Sequence, residues 1–455
     1  MLAAVALVFV LGYVCIAFEH AIKVDKSATA ILTAVLCWTL LAFAGPELAP
    51  LHEMVQGTAQ HATDWVPTEL RHHLSEIAEI LFFLMGAMVI VELIDAHRGF
   101  SVVTERISTR KQSTLLWLIG LLTFFLSAAL DNLTTTIVMI SLLRKLIAQQ
   151  QQRWVYAGVV VIAANAGGAW SPIGDVTTTM LWIGNQITTL AIVKQLILPS
   201  LVCLLVPLLW LSLRLKGEVE RPLHFVGEND ALEVSLRERQ TVFVLGISAL
   251  LFVPVFKTVT HLPPYMGILF GLGVLWVVTE LMHHGKDDEQ RHPLTVAGVL
   301  RRIDTPSILF FLGILLAVSA LSTAGHLTAV AGWLRDSLGN VYAINVAIGL
   351  LSAVVDNVPL VAGAMKMYPL LPAEAVTGPQ ADWLQHFVQD GTFWEMLAYC
   401  AGTGGSCLII GSAAGVAAMG MEKISFGWYL RHISGLALMG YLAGAGVYIV
   451  LHTLG

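Results

Sequence analysis

A chain of 455 residues that is 56% hydrophobic and only 12% charged excludes an ordinary soluble domain, in which about a quarter of residues carry charge. The net charge of −6 comes with no basic patch interleaved with aromatics, which excludes a nucleic-acid partner. Five cysteines (Cys15, Cys37, Cys203, Cys400 and Cys407) lie in apolar or Gly-rich segments without a CxxC pair, so neither a zinc site nor a disulfide frame is supported.

Apolar runs that predict helices are, in chain order, 1–18, 27–44, 74–96, 114–148, 154–184, 190–213, 241–256, 265–283, 305–325, 341–370, 392–420 and 432–453. Many approach the roughly 20 residues that a bilayer-spanning helix needs. The first run lacks a basic leader and ends at Glu19, which predicts a retained helix instead of a signal peptide. Segment 45–73 is expected as an outer, solvated loop carrying His52, His61, His72 and His73. Runs 114–148 and 341–370 each hold an Asp-Asn pair at mid-length, and runs 154–184 and 392–420 each hold a Gly-rich break. A plain spanning helix has no use for either feature.

The two halves of the chain match each other. ILFFLMGAM at Ile80 pairs with ILFFLGILL at Ile308, SAALDNLTT at Ser127 with SAVVDNVPL at Ser352, and AGGAWSPIGD at Ala166 with TGGSCLIIGS at Thr403. The offsets are 228, 225 and 237, in one order. They divide the chain into a first repeat, 1–213, a hydrophilic cytoplasmic linker, 214–240, and a second repeat, 241–455. Lys and Arg flank run 114–148 on both sides. If that run is a re-entrant hairpin, 20 of the 25 Lys and Arg fall on the cytoplasmic side, as the positive-inside rule requires. Helix 74–96 then runs inward and its counterpart 305–325 outward. The expected fold class is therefore an all-α polytopic membrane protein with two inverted repeats. Each has five spanning helices, a re-entrant hairpin (114–148, 341–370) and a broken helix (154–184, 392–420), the organisation of secondary transporters.

Chemistry follows from the polar residues at these interruptions. A carboxylate at membrane depth costs at least about 2.5 kcal/mol. Asp131 and Asn132 sit where the first hairpin turns, with Ser127 before them and Thr134 after; Asp356 and Asn357, with Ser352, repeat this in the second half. Capping of the second hairpin helix is the simpler use of such a pair, and it is compatible with ion binding. The first broken helix adds Asn165, Asp175, Thr177 and Thr178, and the second adds Thr403, Ser406 and Ser412. Asp175 has no acidic counterpart, because Ser412 stands at the equivalent place. Oxygen-rich clusters with negative charge suit hard cations, which makes Asp131, Asn132, Asn165 and Asp175 the candidate Na+ ligands. No HExxH, GxSxG or Cys-His nucleophile arrangement is present, so an enzyme is not expected.

Together SAALDNLTT, SAVVDNVPL and NAGGAWSPIGDVTT resemble the NhaD-type sodium/proton antiporters of the ion transporter superfamily over nearly the whole chain. Carriers of dicarboxylates in that superfamily have neutral hairpin tips; here the tips are acidic, which favours a cation. The resemblance implies exchange of cytoplasmic Na+ or Li+ for external protons across a cell inner membrane, with no cofactor beyond the transported ions. It also implies that Asp131, Asn132, Asn165, Asp175, Thr177, Thr178, Asp356 and Asn357 form the ion site. Competition of protons and sodium for the same carboxylates would make sodium bind better as pH rises. The alternative is a sodium-coupled carboxylate or oxyanion carrier, for which Lys366 is the nearest basic candidate. Helices 1–18, 27–44, 241–256 and 265–283 are read as a scaffold that could present a homodimer face to the bilayer.

Overall fold

A backbone in hydrocarbon has to satisfy its own N–H and C=O groups, and a helix does so within one segment. The computed structural model follows this rule and describes residues 2–17, 19–56, 65–104, 107, 109–222, 234–285, 287 and 291–454. Short helical turns aside, the first half contains α1 (Leu2–Ala17), α2 (Lys26–Gln56), α3 (Trp65–Ala96), α4 (Gln112–Leu130), α5 (Asn132–Leu146), α6 (Gln150–Ala169), α7 (Val176–Ile183) and α8 (Thr189–Arg214). The second contains α9 (Leu236–Thr260), α10 (Pro264–Met282), α11 (Thr305–Thr323), α12 (His326–Leu338), α13 (Val341–Leu351), α14 (Asn357–Met367), α15 (Thr392–Gly404), α16 (Ala413–Glu422) and α17 (Ser434–Leu454). Among the described residues eight helices are long and apolar enough to cross a bilayer. The chain is an all-α, multi-pass membrane protein.

Both Asp-Asn pairs fall at sharp reversals, α4 to α5 and α13 to α14, and both Gly-rich breaks separate two helices, α6 from α7 and α15 from α16. Three expectations need correction. The helix expected to end at residue 44 continues to Gln56, and α3 begins at Trp65, so His72 and His73 stand on a helix and not in a loop. His73 is buried there because it packs against α2 and α11: its ring lies 6.1 Å from that of Trp38, and its Nε2 is 3.3 Å from Thr323 Oγ1. Of His52 only the backbone is described, and His61 lies outside the described residues, as does most of the linker, 223–233. Secondly, the break in the first half starts later than expected. Asn165, Gly167 and Gly168 are still helical, and α6 ends only at Ala169. Thirdly, α12 was not anticipated. It is an amphipathic helix that buries Leu327 and Ala331, one turn apart.

Equivalent contacts recur in the two halves. Ser127 Oγ donates to the Ala164 carbonyl (2.6 Å), and Ser352 Oγ donates to the Ala401 carbonyl (2.9 Å). Gly167 backs onto the Phe124 carbonyl, and Gly404 onto the Gly349 carbonyl. A Cβ at either glycine would collide with that oxygen, so only glycine allows each broken helix to press against its hairpin. These contacts follow the motif offsets, 225 for the hairpins and 237 for the broken helices. Helix directions are also informative. Ser27 Oγ donates to the Pro306 carbonyl (2.8 Å) and Trp38 Nε1 to the Leu316 carbonyl (2.9 Å), so α2 and α11 run side by side in the same sense. The start of α3, at His73, meets the end of α11, at Thr323.

Two buried carboxylates were missed, although each stands at an end of the apolar run 392–420. Glu422 is 1% exposed and binds Arg144 Nε (2.8 Å) and Arg153 Nε (2.9 Å), while its carbonyl accepts from Trp154 Nε1 (2.9 Å). This ties α5, α6 and the end of α16 together. Glu395 on α15 accepts from the Tyr448 hydroxyl (2.7 Å) and lies 3.5 Å from His452 Nε2.

Candidate ion-binding site

Asp131 occupies the tip of the first hairpin, at once the end of α4 and the N-cap of α5. Its Oδ1 accepts from the Thr134 N–H (2.7 Å) and its Oδ2 from the Thr134 hydroxyl (2.8 Å). With φ at 122° and ψ at 163°, its backbone lies in a region otherwise almost confined to glycine, a strain of about 1–3 kcal/mol. The reversal at this residue throws the next side chain inward. Asn132 is buried and its Nδ2 donates both to Asn165 Oδ1 (3.0 Å) and to Asp175 Oδ2 (2.6 Å).

Asp175 caps α7 in the same manner that Asp131 caps α5. Its Oδ1 accepts from the Thr177 N–H (2.9 Å) and hydroxyl (2.8 Å), and Asn357 Nδ2, from the start of α14, stands 3.5 Å away. The residue is 1% exposed. Asn165 sits deep in α6 and joins the halves: its Nδ2 donates to Ser406 Oγ and to Ser412 Oγ, each at 2.9 Å. Asn132, Asn165, Asp175, Thr177, Asn357, Ser406 and Ser412 thus form one connected network drawn from both hairpins and both broken helices.

Other expected site residues are used differently. Thr178 donates to the Asp175 carbonyl (2.8 Å) and Thr403 to the Tyr399 carbonyl (2.6 Å), so both hydroxyls are used on nearby backbone oxygens. Ser127 and Ser352 hold the hairpins to the broken helices, as described above. Thr134 is engaged by Asp131. Asp356 caps α14 by accepting from the Val358 N–H (3.3 Å), and its Oδ2 lies 3.8 Å from Lys26 Nζ on α2.

The charge balance is uneven. Among the described residues no Lys, Arg or His forms an ion pair with Asp131 or Asp175, whereas Asp356 has Lys26. The Asp175 carboxylate is surrounded by neutral donors and by the N-terminal end of α7, which stabilise a negative charge but leave it uncancelled. Lys366 points elsewhere: it pairs with Glu76 across 2.7 Å, at the rim of a cavity of about 430 Å³ also lined by His72, His73, Met180 and Gly184. Glu76 is therefore an ion-pair partner. Close by, Lys257 Nζ donates to the Trp182 carbonyl (2.6 Å) and lies over the Trp182 ring, so that a cation from α9 closes the C-terminal end of α7.

Asn165→Ala removes the one side chain that bridges Asn132 to Ser406 and Ser412. Lost hydrogen bonds of about 1.5 kcal/mol correspond to roughly tenfold weaker apparent cation affinity. Transport measured against cation concentration in proteoliposomes checks this; an unchanged half-saturation would remove Asn165 from the site.

Comparison with known proteins adds two findings. The family described as citrate transporter matches residues 13–385. Over almost its full length the chain is similar to proteins of two kingdoms. It is 50% identical to "Sodium/proton antiporter 1" of Arabidopsis thaliana, covering 99% of this chain and 73% of that one, and 48% identical to "Sodium/proton antiporter 2" of the same plant, covering 98% and 99%. It is 31% identical to "Na(+)/H(+) antiporter NhaD" of Vibrio cholerae, covering 99% of this chain and 91% of that one.

Proposed function

From the premise that the chain belongs to the citrate transporter family, and within it to the NhaD-type antiporters, we propose that it exchanges Na+ or Li+ for protons by alternating access. It is a membrane transporter and not an enzyme. The observation that carries the exchange reading is Asp175: a buried carboxylate, fully hydrogen-bonded and lacking a basic partner among the described residues. Such a group is stabilised by a metal cation or by a proton, and the two exclude each other. Asn132, Asn165 and Asn357, once their amides turn, and the Thr177 hydroxyl are positioned to complete an oxygen shell, which suits a hard monovalent ion. Asp131 holds the tip that presents Asn132, and Asp356 contributes the equivalent tip from the second half. The ions exchanged are cytoplasmic sodium and external protons, and the membrane is a cell inner membrane.

We read 1–213 and 241–455 as inverted repeats. The recurring Ser and Gly contacts, at offsets of 225 in the hairpins and 237 in the broken helices, support a duplication. The opposed directions of α3 and its counterpart α11 support the inversion, because parallel repeats would orient equivalent helices alike.

A carboxylate-carrier reading is favoured by the family's description. Against it, the helix N-termini that would receive an anion are filled by the chain's own Asp131, Asp175, Asp356 and Ser412. Lys366, the basic candidate, is spent on Glu76. Purified protein in proteoliposomes, loaded in turn with Na+, Li+ or K+ and assayed with a pH-sensitive dye over a pH series, decides between the two. Saturable proton movement driven by Na+ or Li+, stronger at higher pH, is the expected result. Citrate or succinate uptake without proton countermovement would overturn it.

A further inference from the structure

Of the two acidic tips, one carries its own cation. Lys26 Nζ lies 3.8 Å from Asp356 Oδ2 and 4.5 Å from the centre of the Phe310 ring. Its backbone N–H donates to Glu19 Oε2 (3.3 Å), which fixes the start of α2. Lys26 and Asp356 line one cavity of about 70 Å³ with Tyr13, Glu19 and Ser412. Ser412 also accepts from Asn165 Nδ2 (2.9 Å), and Asn165 meets Asn132, which meets Asp175. The lysine therefore shares a small cavity with Ser412, a member of the candidate network. The contact is an ion pair without a close hydrogen bond, between partly exposed groups. Such a contact is weak enough to be exchanged.

We propose that Lys26 is a tethered counter-cation for Asp356, which neutralises the second tip and leaves Asp175 as the carboxylate over which sodium and protons compete. The ammonium takes at Asp356 the place that a sodium ion or a proton takes at Asp175. Removing it adds a third carboxylate without a basic partner to Asp131 and Asp175; removing Asp356 instead leaves a positive charge that repels the incoming cation. This inference rests on the exchange reading above and deepens it by assigning a residue outside both hairpins and both broken helices to the control of cation affinity.

The two single neutralisations therefore act in opposite directions. In proteoliposomes, Lys26→Gln is expected to lower the half-saturating Na+ concentration about tenfold and Asp356→Asn to raise it about tenfold. The double variant Lys26→Gln/Asp356→Asn returns toward the unmodified value, and Lys26→Arg stays near it. A residue that only supports the fold would shift both singles the same way and would not be rescued by the second change. If Lys26→Gln does not fold, the comparison of Asp356→Asn with the double variant carries the test. Equal half-saturation in those two, or an unchanged value in Lys26→Gln, overturns the proposal. Failure of the unmodified protein to exchange Na+ for protons would instead strike the exchange reading itself.

Discussion

Asp175→Asn is expected to eliminate Na+-driven proton movement while the protein remains folded. Asparagine is nearly the same size and is an equally good N-cap, so the bonds from the Thr177 N–H and hydroxyl to this side chain persist. What is lost is the negative charge and, with it, the acceptor that Asp175 Oδ2 offers to Asn132 Nδ2. Hydrogen bonds and contacts to charged groups are worth about 1.5–3 kcal/mol, and 3 kcal/mol corresponds to a loss of cation affinity on the order of a hundredfold. The proton-carrying step disappears outright, because an amide does not titrate. Dye-quench antiport in everted vesicles, with thermal melting of the purified variant as the folding control, measures both halves of this statement. Full antiport by a folded Asp175→Asn protein would exclude Asp175 as the exchanging carboxylate.

Asp131→Gly separates two roles that the sequence leaves superimposed. The native residue holds φ at 122°, which glycine adopts freely, so the substitution relieves about 1–3 kcal/mol of strain. Replacing a capping residue by glycine costs only a few tenths of a kcal/mol, so the lost bonds to Thr134 do not cancel that gain. The variant is therefore expected to melt at the same temperature as the unmodified protein or above it. Its antiport rate nonetheless falls on the order of tenfold or more, since a negative charge beside the Asn132–Asp175 network is gone and the tip that aims Asn132 is looser. Were Asp131 only a cap, both stability and rate would survive. Melting curves and vesicle antiport on the same preparation give the answer.

The architecture was legible because polar residues inside apolar runs are costly and hence conspicuous. Asp131, Asn132, Asp175 and Asp356 announced both hairpins and one break, and the glycines announced the other. What the sequence could not settle is which of two adjacent polar residues faces the network. That depends on the backbone twist at Asp131, which puts Asn132 inward and leaves Asp131 bonded to its own helix. Nor could it pair Lys26 with Asp356, which lie in different halves and come together only when α2 packs along α11. The extension of α2 past Gly45 and Pro46 was hidden because both residues usually end helices; here the helix continues over them. Glu422 lies just beyond a run and drew no notice, and its burial depends on Arg144 and Arg153, each more than 250 positions earlier.

The arrangement around Glu422 has a mechanical consequence. Two guanidinium groups from the first half grip one carboxylate of the second, and removing a partner from a buried ion pair costs about 3–5 kcal/mol. A gate that worked by prying α5 and α6 away from α16 would have to strand that carboxylate in every turnover. The pieces of the chain that surround Asn165 are thus riveted into one block. On the alternating-access proposal, the hinge runs along a different seam, such as those that Lys26, Lys257 and Lys366 cross.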